Sequence, residues 1–121
     1  MRRVEVVDLP SLAEGRQPPA GVRWRLDPDG DLNANLVSFA AGEGVGEHVN
    51  GELDVLIVGV AGAGAVIVDG IAHELRPGAA ILVPRGARRG TRAGSERFAY
   101  LTVHRRRGRG IALGGGRANE R

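Results

Sequence analysis

The sequence predicts an all-β, antiparallel fold, either a β-barrel or a jelly roll, in a single domain. Short β-branched runs recur along the chain and are separated by glycine and proline turns. No stretch shows sustained helical periodicity, and 121 residues suit one hydrophobic core. The Asp69-Gly70 pair between two such runs predicts a tight hairpin, because a type I′ turn needs positive φ at both central residues.

The predicted strands follow one another at short spacing. They cover residues 3–8, 22–26, 32–40, 47–49, 53–60, 65–69, 71–75, 79–83 and 97–105, with a weaker strand at 111–113. Residues 11–21 are predicted to form a loop with at most one helical turn, because Pro18 and Pro19 cannot continue a helix. The domain is therefore expected to span residues 1–106. Residues 107–121 form a basic, glycine-rich tail, expected to be disordered after any added strand.

The composition removes several classes of chemistry. The chain has no cysteine, which excludes disulfides, thiolate metal sites and cysteine nucleophiles. All 17 basic residues are arginine, so Schiff-base chemistry on lysine is excluded as well. No apolar run approaches 18 residues, and Glu5 and Asp8 interrupt the apolar start of the chain. We therefore expect a cytoplasmic protein without a membrane partner.

The positive charge is concentrated at the C-terminus. Residues 105–121 carry six arginines and one acid, whereas the preceding residues carry 11 arginines and 13 acids. The net charge of +3 therefore reflects the tail and not the domain. Weak, salt-sensitive nucleic-acid binding through the tail is one alternative function. The four aromatic residues are too few to form a stacking platform for bases, so we do not expect nucleic acid as the main partner.

Two segments carry regularly spaced glycines, a proline and polar side chains. The first segment includes Gly42, His48, Asn50, Asp54 and Gly62. The second includes Gly78, Pro84, Gly86 and Arg89. Together they resemble the paired motifs of the cupin superfamily, G-(x)5-H-x-H-(x)3,4-E-(x)6-G and G-(x)5-P-x-G-(x)2-H-(x)3-N. The resemblance covers roughly residues 32–104 and implies a small cupin barrel.

The resemblance also implies where a metal would be held. Cupins bind one divalent cation through the two histidines and the glutamate of the first motif and the histidine of the second. In this sequence His48 matches, Asn50 takes the place of the second histidine, Asp54 that of the glutamate and Arg89 that of the last histidine. The closing glycine of the first motif falls one residue late, at Gly62. Strand alternation allows these four side chains to face one interior.

Arg89 argues against a metal at this position. A guanidinium remains protonated at any working pH. At about 5 Å from a divalent ion and an effective dielectric of about 20, the repulsion is roughly 7 kcal/mol, or about five decades of affinity. We therefore predict no cofactor, and expect Arg89 to replace the cation and to pair with Asp54, with His48 and Asn50 completing a polar cluster.

Three interpretations of this cluster remain open. It is a buried ion pair with a structural role only, or a pocket for a small polar or anionic ligand, or a residual site for one divalent metal at His48. The pocket gives the leading function, binding of a small molecule without a metal by His48, Asn50, Asp54 and Arg89. The enzymatic alternative is a metal-dependent dioxygenase or isomerase that uses His48 and Asp54, with His104 as a possible second imidazole.

The resemblance further implies a homodimer. Residues 3–8 form a β-branched, half-apolar run that needs a partner edge, so we expect them to contribute to the dimer interface. His73 is expected to be exposed. Arg85 and Arg88 are expected to face solvent or the partner, while Arg89 faces inward.

Overall fold

The computed structural model describes residues 4–14 and 21–106. It contains one short helix, α1 (Leu9–Ala13), and seven strands. The strands are β1 (Gly21–Arg25), β2 (Leu32–Phe39), β3 (His48–Val49), β4 (Val55–Val68), β5 (Ile71–Leu75), β6 (Ala80–Val83) and β7 (Arg88–Arg105). All strand pairs are antiparallel, which confirms the predicted fold class. No helix in the described part of the chain is long and apolar enough to cross a bilayer.

Two long strands connect the halves of the barrel. The C-terminal half of β7 pairs with β2 and with the N-terminal half of β4, and this larger layer is completed by β1 and β6. The N-terminal half of β7 pairs with β3 and with the C-terminal half of β4, and β5 completes this smaller layer. Register shifts near Gly62 and Gly64 mark the place where β4 passes from one layer to the other.

Glycine is required at this bend. Gly62 has a φ of +67°, and a Cβ there would collide with the carbonyl oxygen of Arg97. A Cβ on Gly64 would collide with the ring of Phe98. The sequence predicted two strands, 53–60 and 65–69, because a glycine-rich run weakens the strand pattern. The structure corrects this to one bent strand, β4.

The Asp69-Gly70 hairpin between β4 and β5 is confirmed. Asp69 has a φ of 48° and Gly70 a φ of +84°, as the type I′ turn requires. The Asp69 side chain also accepts a hydrogen bond from the backbone amide of Arg88, at 2.9 Å. The hairpin is thereby attached to the start of β7.

The β7 strand is longer than predicted. The sequence predicts strands at 79–83 and 97–105 and none between them, because a run of arginine, glycine and alanine has little strand propensity. In the structure, Arg89 and Thr91 pair with Val68 and Val66 of β4, so tertiary pairing overrides local propensity. This extension of β7 carries Arg89 into the barrel wall.

The predicted strand at residues 3–8 is wrong for the part of it that the structure describes. Residues 4–8 form no strand. Asp8 caps α1 instead, where its side chain accepts a hydrogen bond from the Ser11 amide at 3.3 Å. Val4 and Val6 are 88% and 91% exposed. The predicted strand at 111–113 and the predicted tail at 107–121 lie outside the described residues.

The core lies in two places. Between the two layers, the apolar cluster is Val55, Ile57, Val66, Leu75, Val83, Ala87, Ala93, Phe98 and Tyr100. On the outer side of the larger layer, α1 covers a second cluster built on Ala13, Leu36 and Ala99. Arg97 donates a hydrogen bond to the carbonyl of Ala13 at 2.9 Å and so attaches the end of α1 to β7. Since the core does not fill the barrel, a cavity remains.

Candidate functional site

A cavity of about 1590 Å³ opens between the two layers. The inward-facing residues of β7 run along it from Arg89 and Thr91 to Tyr100, Thr102 and His104. Burial decreases in the same direction, since Arg89 and Tyr100 are buried whereas Thr102 and His104 are half-buried. The arginine therefore lies at the buried end of this row and the imidazole of His104 at its more exposed end.

Arg89 lies where the sequence predicted it. It is 6% exposed and lines the cavity, while its neighbours Arg85 and Arg88 are exposed, as expected from strand alternation. The register of β3 and β7 places His48 directly opposite Arg89. The Nε–H of Arg89 donates a hydrogen bond to Nε2 of His48 at 3.2 Å.

The hydrogen bonds of His48 define its tautomer. Its Nδ1 lies 3.1 Å from the carbonyl oxygen of Gly46, which can only accept, so Nδ1 carries the proton. Its Nε2 then has a lone pair, and that lone pair accepts from Arg89. A metal would have to compete with Arg89 for the same lone pair.

Asn50 also lines the cavity, but its side-chain oxygen is engaged locally. It accepts hydrogen bonds from the backbone amides of Glu52 at 2.9 Å and Leu53 at 3.1 Å, which stabilises the turn that leads into β4. The backbone carbonyl of Asn50 accepts from the amide of Gly86 at 2.8 Å. Asn50 therefore acts first as a turn residue.

Asp54 does not join the cluster, and its predicted pairing with Arg89 is wrong. Its side chain is exposed and does not line the cavity. Its carboxylate accepts a hydrogen bond from the backbone amide of Arg85 at 2.9 Å, so it holds the turn that precedes β7. At the start of β4, Val55 and Ile57 face inward. Leu56 and Asp54, the residue just before the strand, therefore face outward.

Val55 occupies the inward position that the motif assigns to an acid. The first cupin motif allows three or four residues before its glutamate, and the sequence interpretation used three. With four residues, the acid position is Val55 and the closing glycine is Gly62 without any offset. Val55 is 2% exposed and lines the cavity. The late glycine was the signal in the sequence that could have identified Val55.

These four positions do not fit a divalent metal. The lone pair on Nε2 of His48 accepts a hydrogen bond from Arg89, and the side-chain oxygen of Asn50 is engaged in a turn. The acid position is occupied by Val55, and the last ligand position is occupied by the cation of Arg89. Within residues 4–14 and 21–106, no group of three histidine, aspartate, glutamate or cysteine side chains is placed to hold an ion.

A pair of buried hydroxyls extends the site and was missed by the sequence interpretation. The hydroxyls of Thr91 and Tyr100 lie 2.8 Å apart, and Thr91 also accepts from the amide of Val45 at 3.2 Å. Tyr100 is 3% exposed and stacks on Phe39, with ring centroids 6.1 Å apart. The pair joins the smaller layer, which carries Thr91, to the larger layer, which carries Tyr100.

Four neutral polar side chains lie further along the cavity. Asn33 is opposite His104 and Asn35 is opposite Thr102 in the register of β2 and β7, and all four line the cavity. We call these four residues the polar tetrad. Of the four, the sequence interpretation had singled out His104 alone, although alternate polar residues in LNANLVSF and YLTVH were visible. His73, by contrast, is exposed on β5, as expected.

Comparison with known proteins supports the fold and one distant relationship. No protein-family model matches the sequence. The chain is 36% identical over 98 residues to dimethylsulfoniopropionate lyase DddW of Ruegeria pomeroyi. The matched region covers 74% of this chain and 64% of the lyase. The chain thus spans less than two thirds of the length of this curated relative.

Solved structures with the same fold are numerous. A cupin superfamily protein of Desulfitobacterium hafniense is 26% identical with a TM-score of 0.69, and the match covers 85% of this chain and 92% of that one. The cupin domain of Cnp3 from Schizosaccharomyces pombe has the same TM-score at 20% identity, over 85% and 74% of the two chains. The strand topology, the paired motifs and these similarities show that this chain has the cupin fold.

Proposed function

We propose that this chain binds a small anionic molecule in the barrel cavity without a resident metal ion, and that the carboxylate of this molecule binds to the protein. The observation that supports the proposal is the position of Arg89, a guanidinium that is 6% exposed in the cavity wall beside His48. Among the residues that the structure describes, it is the one buried charged side chain. A planar guanidinium matches a carboxylate in shape and charge.

The walls around Arg89 favour an organic anion over a bare inorganic one. Val45, Val55 and Ile57 line the same cavity and provide apolar surface for a carbon chain. His48, which accepts from Arg89, holds the guanidinium in a fixed orientation. A ligand carboxylate would then find its cation already oriented, which lowers the entropic cost of binding.

Titration with hexanoate, followed by calorimetry, tests this proposal. We expect hexanoate to bind wild-type protein and the uncharged analogue hexanol to bind at least about tenfold more weakly, because charge-assisted hydrogen bonds exceed neutral ones. The Arg89→Met variant should lose the preference for the carboxylate. Arg88→Met is the matched control, since Arg88 is the exposed neighbour on the same strand and its loss should leave binding unchanged.

Equal binding of hexanoate by wild type and Arg89→Met would contradict the proposal. Thermal unfolding of both variants is measured alongside, so that a loss of binding is interpreted only for folded protein.

A lyase activity is the second candidate, and the relationship to the dimethylsulfoniopropionate lyase of R. pomeroyi favours it. Elimination from this substrate breaks a carbon–sulfur bond, takes a proton from the neighbouring carbon, and releases dimethyl sulfide and acrylate. Arg89 would bind the substrate carboxylate, which is common to both candidates. Headspace analysis of dimethyl sulfide, with and without added Fe, Mn, Ni or Zn, tests the activity, and its absence in every mixture would exclude it.

A further inference from the structure

The polar tetrad identifies the kind of molecule that the cavity fits. Asn33, Asn35, Thr102 and His104 lie on two neighbouring strands and point into the same space. Residues directly opposite on such strands have Cβ atoms roughly 5 Å apart, so the four side chains form one compact patch. None of the four carries a fixed charge, although together they offer amide, hydroxyl and imidazole groups.

The tetrad uses little of its hydrogen-bonding capacity within the protein. Asn35 donates to Asn33 over a long 3.4 Å, and Nδ1 of His104 lies 2.8 Å from the carbonyl of Arg105. The second contact makes Nδ1 the donor and leaves a lone pair on Nε2. Thr102 forms no hydrogen bond with another described side chain, and Ile57 is its other neighbour across the sheet. Half-buried groups of this kind need a polar partner, which a ligand can supply.

An apolar belt lines the same cavity as the tetrad and Arg89. It consists of Val37, Phe39, Val45, Val55 and Ile57, with the ring of Tyr100 beside them. Tyr100 of the larger layer contacts Thr91 of the smaller layer, so the bent strand β7 places Arg89 and the tetrad on facing sides of the cavity. Packed sheets face each other at about 10 Å, which is the distance that the middle of a ligand would span.

We propose that the ligand is a chain-like monocarboxylate with three parts: the carboxylate on Arg89, an apolar middle against the belt, and an uncharged hydroxyl or amide group on the tetrad. This inference rests on the proposed function, since it takes Arg89 as the anion site. It adds a second subsite that selects the far end of the ligand. A cationic far end gains no net charge attraction, because the guanidinium of Arg25 and the carboxylate of Asp27 both line the cavity beside the tetrad.

A series of matched probes tests the inference. Hexanoate, ω-hydroxyhexanoate and ω-aminohexanoate share a carboxylate and a six-carbon chain, and hexane-1,6-diol lacks the carboxylate. We expect ω-hydroxyhexanoate to bind about tenfold more tightly than hexanoate, because hydrogen bonds to the tetrad replace a buried methyl group. We expect ω-aminohexanoate to bind no better than hexanoate, and the diol to bind at least tenfold more weakly than ω-hydroxyhexanoate.

Two variants assign the effect to the tetrad. Thr102→Val and Asn35→Leu keep the branching and the number of side-chain heavy atoms and remove polar groups that have few partners in the protein; because both side chains line an open cavity, both variants should fold. Each should reduce the preference for ω-hydroxyhexanoate over hexanoate toward unity, while hexanoate itself keeps its affinity or gains slightly. Arg89→Met should weaken both acids alike.

The outcomes separate this inference from the proposed function. If both acids bind equally well and both need Arg89, the anion site stands and the tetrad subsite is wrong. A preference for the hydroxyl that survives Thr102→Val and Asn35→Leu also overturns the tetrad. If neither acid binds wild-type protein, the proposed anion site at Arg89 is wrong, and the tetrad subsite, which depends on it, is wrong as well.

Discussion

The two motif segments, residues 42–62 and 78–89, meet at one cavity wall but differ in how rigidly they set side-chain direction. In the second segment, a Pro84–Gly86 turn leads directly into β7 and fixes Arg89 as inward-facing. In the first, a turn of variable length separates β3 from β4, and the Asn50 side chain organises it. One extra residue in that turn exchanges the inward and outward faces of β4. Motif spacing therefore predicts side-chain direction well when the turn between the strands has a fixed length, and poorly when the length of the turn varies.

The largest expected effect comes from rebuilding the metal site on the correct face. We expect Asn50→His, Val55→Glu and Arg89→His together to raise the affinity for Ni²⁺ or Zn²⁺ by several orders of magnitude, because they add two imidazoles to that of His48, supply one carboxylate and remove a fixed cation. The matched control places the acid on the other face, as Asn50→His, Asp54→Glu and Arg89→His. Calorimetry should show much weaker binding for the control. Equal affinity of the two triple variants would mean that residue 54 reaches the cavity.

A second effect concerns the outer side of the second segment. Strand β6 lies at the edge of its layer, and its Leu82, which is 60% exposed, is opposite Leu56, which is 38% exposed. We propose that this apolar row contributes to a homodimer. Burying one leucine per subunit contributes about 1.5–3 kcal/mol, and a symmetric interface counts it twice. Leu82→Arg should therefore raise the dimer dissociation constant by about a hundredfold or more, as measured by light scattering over a dilution series.

Wild-type protein that is monomeric at micromolar concentration would contradict this proposal. A variant shortened by residues 1–7 tests separately whether the exposed Val4 and Val6 take part. Loss of dimer in both variants would place the N-terminal segment at the same interface.

A third effect compares two glycines of the motifs. Gly62 and Gly78 both have positive φ, at +67° and +90°. A Cβ at Gly62 meets the carbonyl of Arg97, whereas a Cβ at Gly78 meets open space. We expect Gly62→Ala to lower the free energy of unfolding by about 3 kcal/mol or more and Gly78→Ala by about 1 kcal/mol. Denaturant unfolding measures both, and equal losses would show that the bend in β4 tolerates a side chain.

The smallest effect is at Asp54. Removing its hydrogen bond to the amide of Arg85 should cost about 1 kcal/mol of unfolding free energy in Asp54→Ala. Because its carboxylate lies outside the cavity, hexanoate affinity should change by less than about twofold. A large loss of hexanoate binding in this variant would restore Asp54 to the site.

The sequence contained enough to predict the fold, the hairpin and the inward direction of Arg89. Short β-branched runs, Asp69-Gly70 and the Pro84–Gly86 turn are local signals, and each was confirmed by the structure. The N-terminal half of β7 was not predictable in this way. Its residues have low strand propensity, and it is a strand because β4 pairs with it over a long sequence separation.

The site was predicted in part. The cavity is lined by His48, Asn50 and Arg89 but not by Asp54. The length of the β3–β4 turn, which differs by one residue between the two motif spacings, determines that Asp54 faces outward. The tetrad required knowledge of which face of β2 and β7 points inward. Both faces of β2 carry a mixture of polar and apolar residues, since Leu36, which packs against Ala13 of α1, and Ser38 are both buried on the outer face. Alternation alone therefore did not identify the inner face.

The sharing of β4 and β7 between the two layers has a consequence for how the protein opens. Neither layer can separate without disrupting the central pair of the other, because the ladders at Leu56–Val103 and Val66–Thr91 belong to the same two strands. Local opening of one half is therefore disfavoured, and the amides of both ladders should exchange with solvent through the same global event. The outer strands β1 and β5 should exchange sooner. A molecule held between the layers would then slow exchange throughout β4 and β7, including at amides far from the molecule itself.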